Sequence, residues 1–273
     1  MYGWPMKNLD KYLVKPGSKV ELDSIPSDDD GGMKKEEGLE QFRDASRRID
    51  ELQELMYAEC KHSLLVILQA MDAAGKDSTL GAVFGPVNPQ GCTVVSFKVP
   101  NELERRHDFL WRVHQQVPPR GYMTVFNRSH YEEVLVVRVK GLAPHHVWHK
   151  RYDHINCFEK MLHDEGTTII KFYLHISKDY QRKRLQRRLK LPEKHWKFNP
   201  EDLTERKRWD QYMRAYEDAM SKCSTEYAPW YIIPAQTRWY RNLLVASILR
   251  RAMENLDMHY PKPTFDASKI VIP

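Results

Sequence analysis

Residues 71–79 read MDAAGKDST. They follow the apolar block SLLVILQ (63–69) and run into a helical pattern. A buried strand, a tight turn of small residues and a helix start together make an anion site, because the first N–H groups and the helix dipole favour negative charge. Gly75 allows close backbone approach, Lys76 brings a point charge, and Asp72, Ala73 and Ala74 keep the turn small. The stretch departs from the phosphate-loop spacing G-x-x-x-x-G-K-[ST] at two places. Ala70 stands where the first glycine belongs, and Asp77 stands where the hydroxyl belongs. Thr79 lies two places late but could still reach a phosphate or a metal's water. A strand–turn–helix corner with an incidental Gly-Lys pair is the competing reading.

Three further groups bear on that choice. Asn127 and Arg128 leave a β-run together in VFNRSHYEE (125–133). An Asn there is a neutral oxygen donor and a weaker magnesium partner than Asp. Arg is the group suited to bidentate phosphate contact. Asp108 and Arg112 in HDFLWR (107–112) are four apart and would share a helix face. An ordinary i,i+4 ion pair beside a core Trp is the commoner meaning. The segment 178–197 holds nine Lys/Arg against two Asp/Glu, a larger excess than the +6 of the whole chain. Charge so nearly of one sign needs a counter-ion. Arg184, Arg187 and Arg188, at i, i+3 and i+4, can project together, and Lys194, Trp196 and Lys197 follow the break at Pro192. His145 and His149 share a face but lack a third metal ligand, so they read as surface residues. Trp209, Tyr212 and Tyr216 read as packing.

The elements that must position these groups alternate. Continuous apolar runs at 63–69, 92–97, 122–126, 167–176 and 230–235 suit strands buried on both faces of a parallel sheet. Helical patterns fill 39–60, 101–116, 145–165, 178–190, 204–225 and 238–257. Strands joined by helices imply an α/β, doubly wound, five-stranded parallel sheet flanked by helices, with right-handed crossovers. Residues 1–38, polar and broken by Pro and Gly, read as an arm lying on the domain. The domain proper spans 39–257, with the basic segment in the place of a lid at about 178–205, and 258–273 form a tail.

At 41% hydrophobic residues, the 273-residue chain is too apolar for disorder. Its longest apolar run, Leu64–Leu68, is too short to span a bilayer. The stretch MYGWPMKNLDKY has no apolar signal core, and four dispersed cysteines form no C-x-x-C pair, so a cytoplasmic protein with reduced thiols is expected. The positive charge admits an anionic partner: a nucleic acid, a membrane surface or a phosphorylated molecule. Basic residues clustered beside a phosphate loop, without a stripe of stacking aromatics, argue against nucleic acid.

With MDAAGKDST, NPQGC, HDFLWR, FNRSHYEEVLVVRV and LPEKHWKFNPEDL…RWDQYMRAYEDAM in order over residues 35–257, the chain resembles the family-2 polyphosphate kinases. The resemblance implies a P-loop kinase-like fold with a helical lid. It implies reversible, Mg2+-assisted phosphoryl transfer (Mn2+ being an alternative ion) between inorganic polyphosphate and purine nucleotides, in a homodimer or homotetramer that needs neither nucleic acid nor membrane. Asp72 and Lys76 match the family's loop acid and lysine, Asn127 and Arg128 its strand-end pair, and Arg188 its lid arginine. Glu132 resembles the subgroup accepting both nucleoside mono- and diphosphates. On that reading Asp72, Lys76, Asn127, Arg128 and Arg188 are catalytic, with Asp72 and Asn127 at the metal. Ala73, Ala74, Gly75, Asp77, Ser78, Thr79, Asp108, Arg112, Glu132, Arg184, Arg187, Lys194 and Lys197 bind substrate. Relatives carry Gly at positions 70 and 78, so Ala70 would bar a positive φ and Ser78 would add a hydroxyl. An ATP-dependent kinase of the same fold and a nucleic-acid binder are the rival readings.

Overall fold

A computed structural model describes residues 9–272. Residues 1–8 of the expected arm and Pro273 of the tail lie outside the described residues. The elements that matter here are α1 (Lys35–Glu59), β1 (Ser63–Gln69), α2 (Lys76–Val83), β2 (Cys92–Ser96), β3 (Met123–Asn127), α3 (Arg151–Asp164), β4 (Thr167–His175), α4 (Lys178–Lys190), α5 (Glu201–Lys207), α6 (Trp209–Cys223), β5 (Trp230–Pro234) and α7 (Arg238–Glu254). The five strands form one all-parallel sheet in the order β2-β3-β1-β4-β5. Every residue of β1 and β5 is buried, as continuous apolar runs require. Helix α7 packs on α1, α2, β4 and β5, and α3 packs with α6 and β4.

Register sets the site. Leu68 of β1 and Ser96 of β2 both lie level with Asn127, the last residue of β3. The loops leaving β1 and β3 therefore emerge side by side at the carboxyl edge, where open α/β sheets bind ligands.

Three expected helices are broken, each by local chemistry that outweighs apolar periodicity. The span 101–116 is two single turns, Glu102–Arg105 and Trp111–His114. The first is closed by a capping box between Asn101 and Glu104. Between them the Asp108 carboxylate accepts the N–H groups of Leu110 and Trp111 at 2.9 and 3.1 Å and restarts the chain. A turn at His149–Lys150 divides 145–165, and Arg208, with ψ at 16°, divides α5 from α6. Helix α1 begins at Lys35, four residues before Leu39.

Residues 9–34 lie along the β5 edge. Leu13 bridges to Tyr231, the Val14 N–H donates to the Trp230 carbonyl at 2.9 Å, and Leu9, Tyr12, Val14, Val20 and Leu22 are buried. No helix among the described residues is long and apolar enough to cross a membrane.

Candidate active site

The loop between β1 and α2 turns at two left-handed residues, Ala73 (φ 66°) and Gly75 (φ 107°). Glycine adopts this region freely, whereas an alanine there costs ~1–2 kcal/mol. Ala70 is not among the positive-φ residues, so its methyl opposes no backbone requirement. Its carbonyl instead accepts the Lys76 amine at 2.9 Å, folding the lysine back along the loop. Arg128, just past β3, is a second strained residue at φ 62°; its N–H is tied to the Leu68 carbonyl at 3.1 Å. Strained non-glycine residues held on neighbouring loops mark a place where geometry is over-determined by its surroundings.

Charges cross between the loops. Arg128 reaches Asp72 at 3.0 Å. The Asn127 amide donates to Asp77 at 3.3 Å, while its own Oδ1 is buried without a partner. Asp72, Asp77 and Asn127 thus bring side-chain oxygens to one cavity, hard donors of the kind that suit a small divalent cation.

These residues open into a cavity of about 420 Å³ that the basic segment 178–197 walls on the other side. Asp72, Ala73, Gly75, Lys76, Asp77, Ser78, Asn127 and Arg128 line its floor, and Arg184, Arg187, Arg188, Lys194 and Lys197 line its wall. Arg238, the first residue of α7, completes it. Among the described residues eight of the lining groups are Lys or Arg and two are Asp, an excess that favours an anionic ligand. Burial and then the neighbouring Arg238 hold Arg184 below its ordinary pKa. Burial likewise lowers the Lys76 amine, with Asp72 pulling the other way.

A second cavity, about 260 Å³, lies beyond the Asp72–Arg128 pair. Asp72 and Arg128 belong to both. Its walls mix apolar groups (Phe97, Val99, Val136, Val137, Leu142) with Lys98, Arg112, Glu132, Glu205, Tyr212 and Tyr216. Burial raises the Glu132 carboxyl although Arg128 and Lys76 oppose it. Arg128 also suffers burial, but Glu132 and Asp72 outweigh it and hold the guanidinium above its ordinary value.

The basic segment is tied to the loop. Gln181 donates to the Asp72 carbonyl at 3.0 Å and accepts from Arg206 at 3.1 Å, while Arg188 pairs with Asp202 at 3.1 Å and donates to the Lys197 carbonyl at 3.0 Å.

Several expected residues lie elsewhere. Thr79 is fully buried, and its hydroxyl donates to the Gly75 carbonyl at 3.1 Å, so it does not face the cavity. Ala74 is buried beneath the loop. Asp108 serves the turn described above and faces a separate surface recess with Trp111 and His114. Arg112 does not pair with it. It contacts Glu104 at 3.4 Å and the Lys98 carbonyl at 2.8 Å, and stands on the second cavity. Tyr212 and Tyr216, read from spacing as packing, are buried but also line the second cavity. Asp202, Arg238 and Arg241 carried no signal in the sequence. Spacing could have flagged at most Asp202, one helical turn from Glu205; Arg241 reaches the loop from more than 160 residues away, and Arg238 lines the cavity from the same helix. The His145 and His149 rings lie 5.1 Å apart and tilted, and no group of three His, Cys, Asp or Glu side chains that could hold a metal exists among the described residues.

A profile for Polyphosphate kinase 2 (PPK2) matches residues 32–261. The chain belongs to the polyphosphate kinase 2 family. It is 57% identical over 268 residues to an AMP/ADP-polyphosphate phosphotransferase of Meiothermus ruber, covering 97% of this chain and 100% of that one. It is 46% identical over 267 residues to an ADP-polyphosphate phosphotransferase of Rhodopseudomonas palustris, covering 93% and 92%. A solved polyphosphate kinase 2 from Arthrobacter aurescens TC1 superposes with a TM-score of 0.92 at 43% identity, over 95% of this chain and 93% of that one. The fold is thus the P-loop kinase-like fold of this family, and the chain is a phosphotransferase of the polyphosphate kinase kind.

Proposed function

We propose that the protein transfers phosphoryl groups reversibly between inorganic polyphosphate and purine nucleotides. AMP and GMP become diphosphates, and ADP and GDP become triphosphates. The observation that carries this reading is the pair of cavities sharing Asp72 and Arg128. One is strongly cationic and suits a polyphosphate donor. The other mixes apolar and polar walls, as a nucleotide's base and phosphates require. The shared pair marks where the terminal phosphates meet.

Phosphoryl transfer needs positioning and charge neutralisation more than covalent chemistry. Lys76 and the first N–H groups of α2 take the transferring phosphate, and Arg128, 3.0 Å from Asp72, spans the boundary between the two cavities. Arg188, held by Asp202, meets charge on the equatorial oxygens. Arg184, Arg187, Lys194, Lys197 and Arg238 track the remaining donor chain. Asp72, Asp77 and Asn127 would hold Mg2+, or Mn2+ in its stead. That ion supplies neutralisation of phosphate charge. The acceptor is already an anion and needs no strong base. Glu132, on the second cavity, supports use of mono- as well as diphosphates.

The arm, domain, lid and tail act as one protomer of a cytoplasmic homodimer or homotetramer, a state that light scattering after gel filtration measures. Turnover is tested with long-chain polyphosphate, Mg2+ and AMP, ADP, GMP or GDP in separate reactions, read by chromatography. The reading expects phosphorylated products in each, abolished by excess chelator. Products from ATP as donor with none from polyphosphate would refute it.

A further inference from the structure

Arg241 lies outside both cavities. It sits on α7, 2% exposed, directly under the phosphate loop. One guanidinium nitrogen points to the Ala74 carbonyl at 3.4 Å, and the other reaches the Ser78 hydroxyl at 3.1 Å. The remaining hydrogen bonds go to the neighbouring Asn242 side chain. The contact with the loop is close: a Cβ built on Gly75 would fall 2.2 Å from the same guanidinium. Gly75 is thus glycine for two reasons, its φ of 107° and this approach.

All of these partners are neutral. No carboxylate pairs with Arg241 among the described residues, and its charged neighbours, Arg238 and Arg184, are cations. Burial, helped by those two arginines and opposed by Tyr180, holds its pKa down to about 10. By contrast the other deeply buried cation, Lys171, has Glu159 against it. A buried charge without a counter-charge is costly, and native proteins pair or neutralise such groups. Nothing on α7 or the loop supplies the missing anion. The cavity on the opposite side of the same loop would, once filled.

We propose that Arg241 is a positioning residue whose counter-charge is the bound polyphosphate: its guanidinium, pressed against the underside of Gly75 and bonded to Ala74 and Ser78, shapes the loop and adds a buried positive charge beneath the donor. Ser78 is then the link between α7 and the loop, since it donates to the Gly75 carbonyl at 2.9 Å while accepting from Arg241. Donor binding relieves the unpaired charge, so occupancy of the cavity and stability of the loop–α7 contact are coupled. This rests on the assignment of the basic cavity to polyphosphate.

The test uses wild type, Arg241→Gln and Arg241→Lys. Melting temperature is measured with and without long-chain polyphosphate, without nucleotide, and KM is measured for both substrates. Gln keeps a polar amide but deletes the charge; Lys keeps the charge. The inference expects Arg241→Gln alone to melt at or above wild type, to gain much less from polyphosphate, and to show a polyphosphate KM raised on the order of tenfold with the nucleotide KM unchanged. Arg241→Lys should recover most of the donor-induced rise. If wild type and Arg241→Gln gain equally from polyphosphate, the inference fails while the donor-site assignment stands. It also fails if both variants melt well below wild type and lose turnover alike, since the fork alone would then explain the residue. If wild type itself gains nothing from polyphosphate, the donor-site assignment falls and takes the inference with it.

Discussion

Lys76→Met is the most informative single change, because the structure predicts opposite sizes for its effects on activity and stability. Methionine keeps the length of the stem and deletes the charge. The Lys76 amine projects from the first residue of α2 into the cationic cavity, folded onto the Ala70 carbonyl at 2.9 Å. On the proposed mechanism it is one preorganised charge at the transferring phosphate. Loss of one such stabiliser costs ~3–4 kcal/mol, or about 10²–10³ in rate. Stability should move little. A charged hydrogen bond worth ~1.5–3 kcal/mol is lost, but so is the desolvation cost that lowers the lysine's pKa. The Arg128 cation nearby also loses a like-charged neighbour. These terms oppose each other, leaving a net change of about 1 kcal/mol or less. The assay is initial-rate ATP formation from ADP and polyphosphate, with a urea melt of the same preparation. A variant that folds normally and turns over within a few-fold of wild type would remove Lys76 from the transferring phosphate. A variant inactive only because it is unfolded would refute the balance of terms.

Three further outcomes follow from the same geometry. Glu132 has its folded pKa raised by burial, so wild type should lose stability relative to Glu132→Gln as pH rises from glutamate's ordinary value through that raised value, with no further divergence above it; parallel melting curves across that window would contradict the shift. Gly75→Ala should cost ~1–2 kcal/mol for its φ of 107° alone, and more for the 2.2 Å clash with Arg241, and should lower kcat/KM at least tenfold; wild-type kinetics would show that the loop tolerates a Cβ. Lys171→Met should destabilise by ~3–5 kcal/mol in a urea melt, because it strands the fully buried Glu159 beside His130 and Tyr131, none of which lines either cavity, with kcat per folded molecule changed much less than stability.

Much of this site could be read from local pattern. The strand 63–69 and the helix 178–190 stand where continuous burial and one-sided charge put them. Gly75, Lys76, Asn127 and Arg128 declared themselves because their types are restricted by the backbone and the chemistry at a strand end. Other residues were hidden for identifiable reasons. Asp108 reads as a helical residue by spacing, yet its carboxylate satisfies two N–H groups and ends the periodicity. Tyr212 and Tyr216 have the same period whether they face a core or a cavity wall, so spacing cannot separate the two. Thr79 has a hydroxyl at a plausible distance along the chain, but α2 turns it inward onto Gly75. Arg241 meets Ala74 and Ser78 across 167 and 163 residues, a contact created only by the packing of α7 under the loop.

The central claim is that donor and acceptor occupy different cavities that meet at Asp72 and Arg128. Its most direct test is the KM of each substrate in two variants, one on each side. Arg187→Ala removes a cation from the basic cavity, and Val137→Phe fills part of the second. The account predicts that Arg187→Ala raises the KM for polyphosphate severalfold and leaves the KM for ADP unchanged, while Val137→Phe does the reverse. A crossed pattern, in which Arg187→Ala weakens ADP and Val137→Phe weakens polyphosphate, would contradict it.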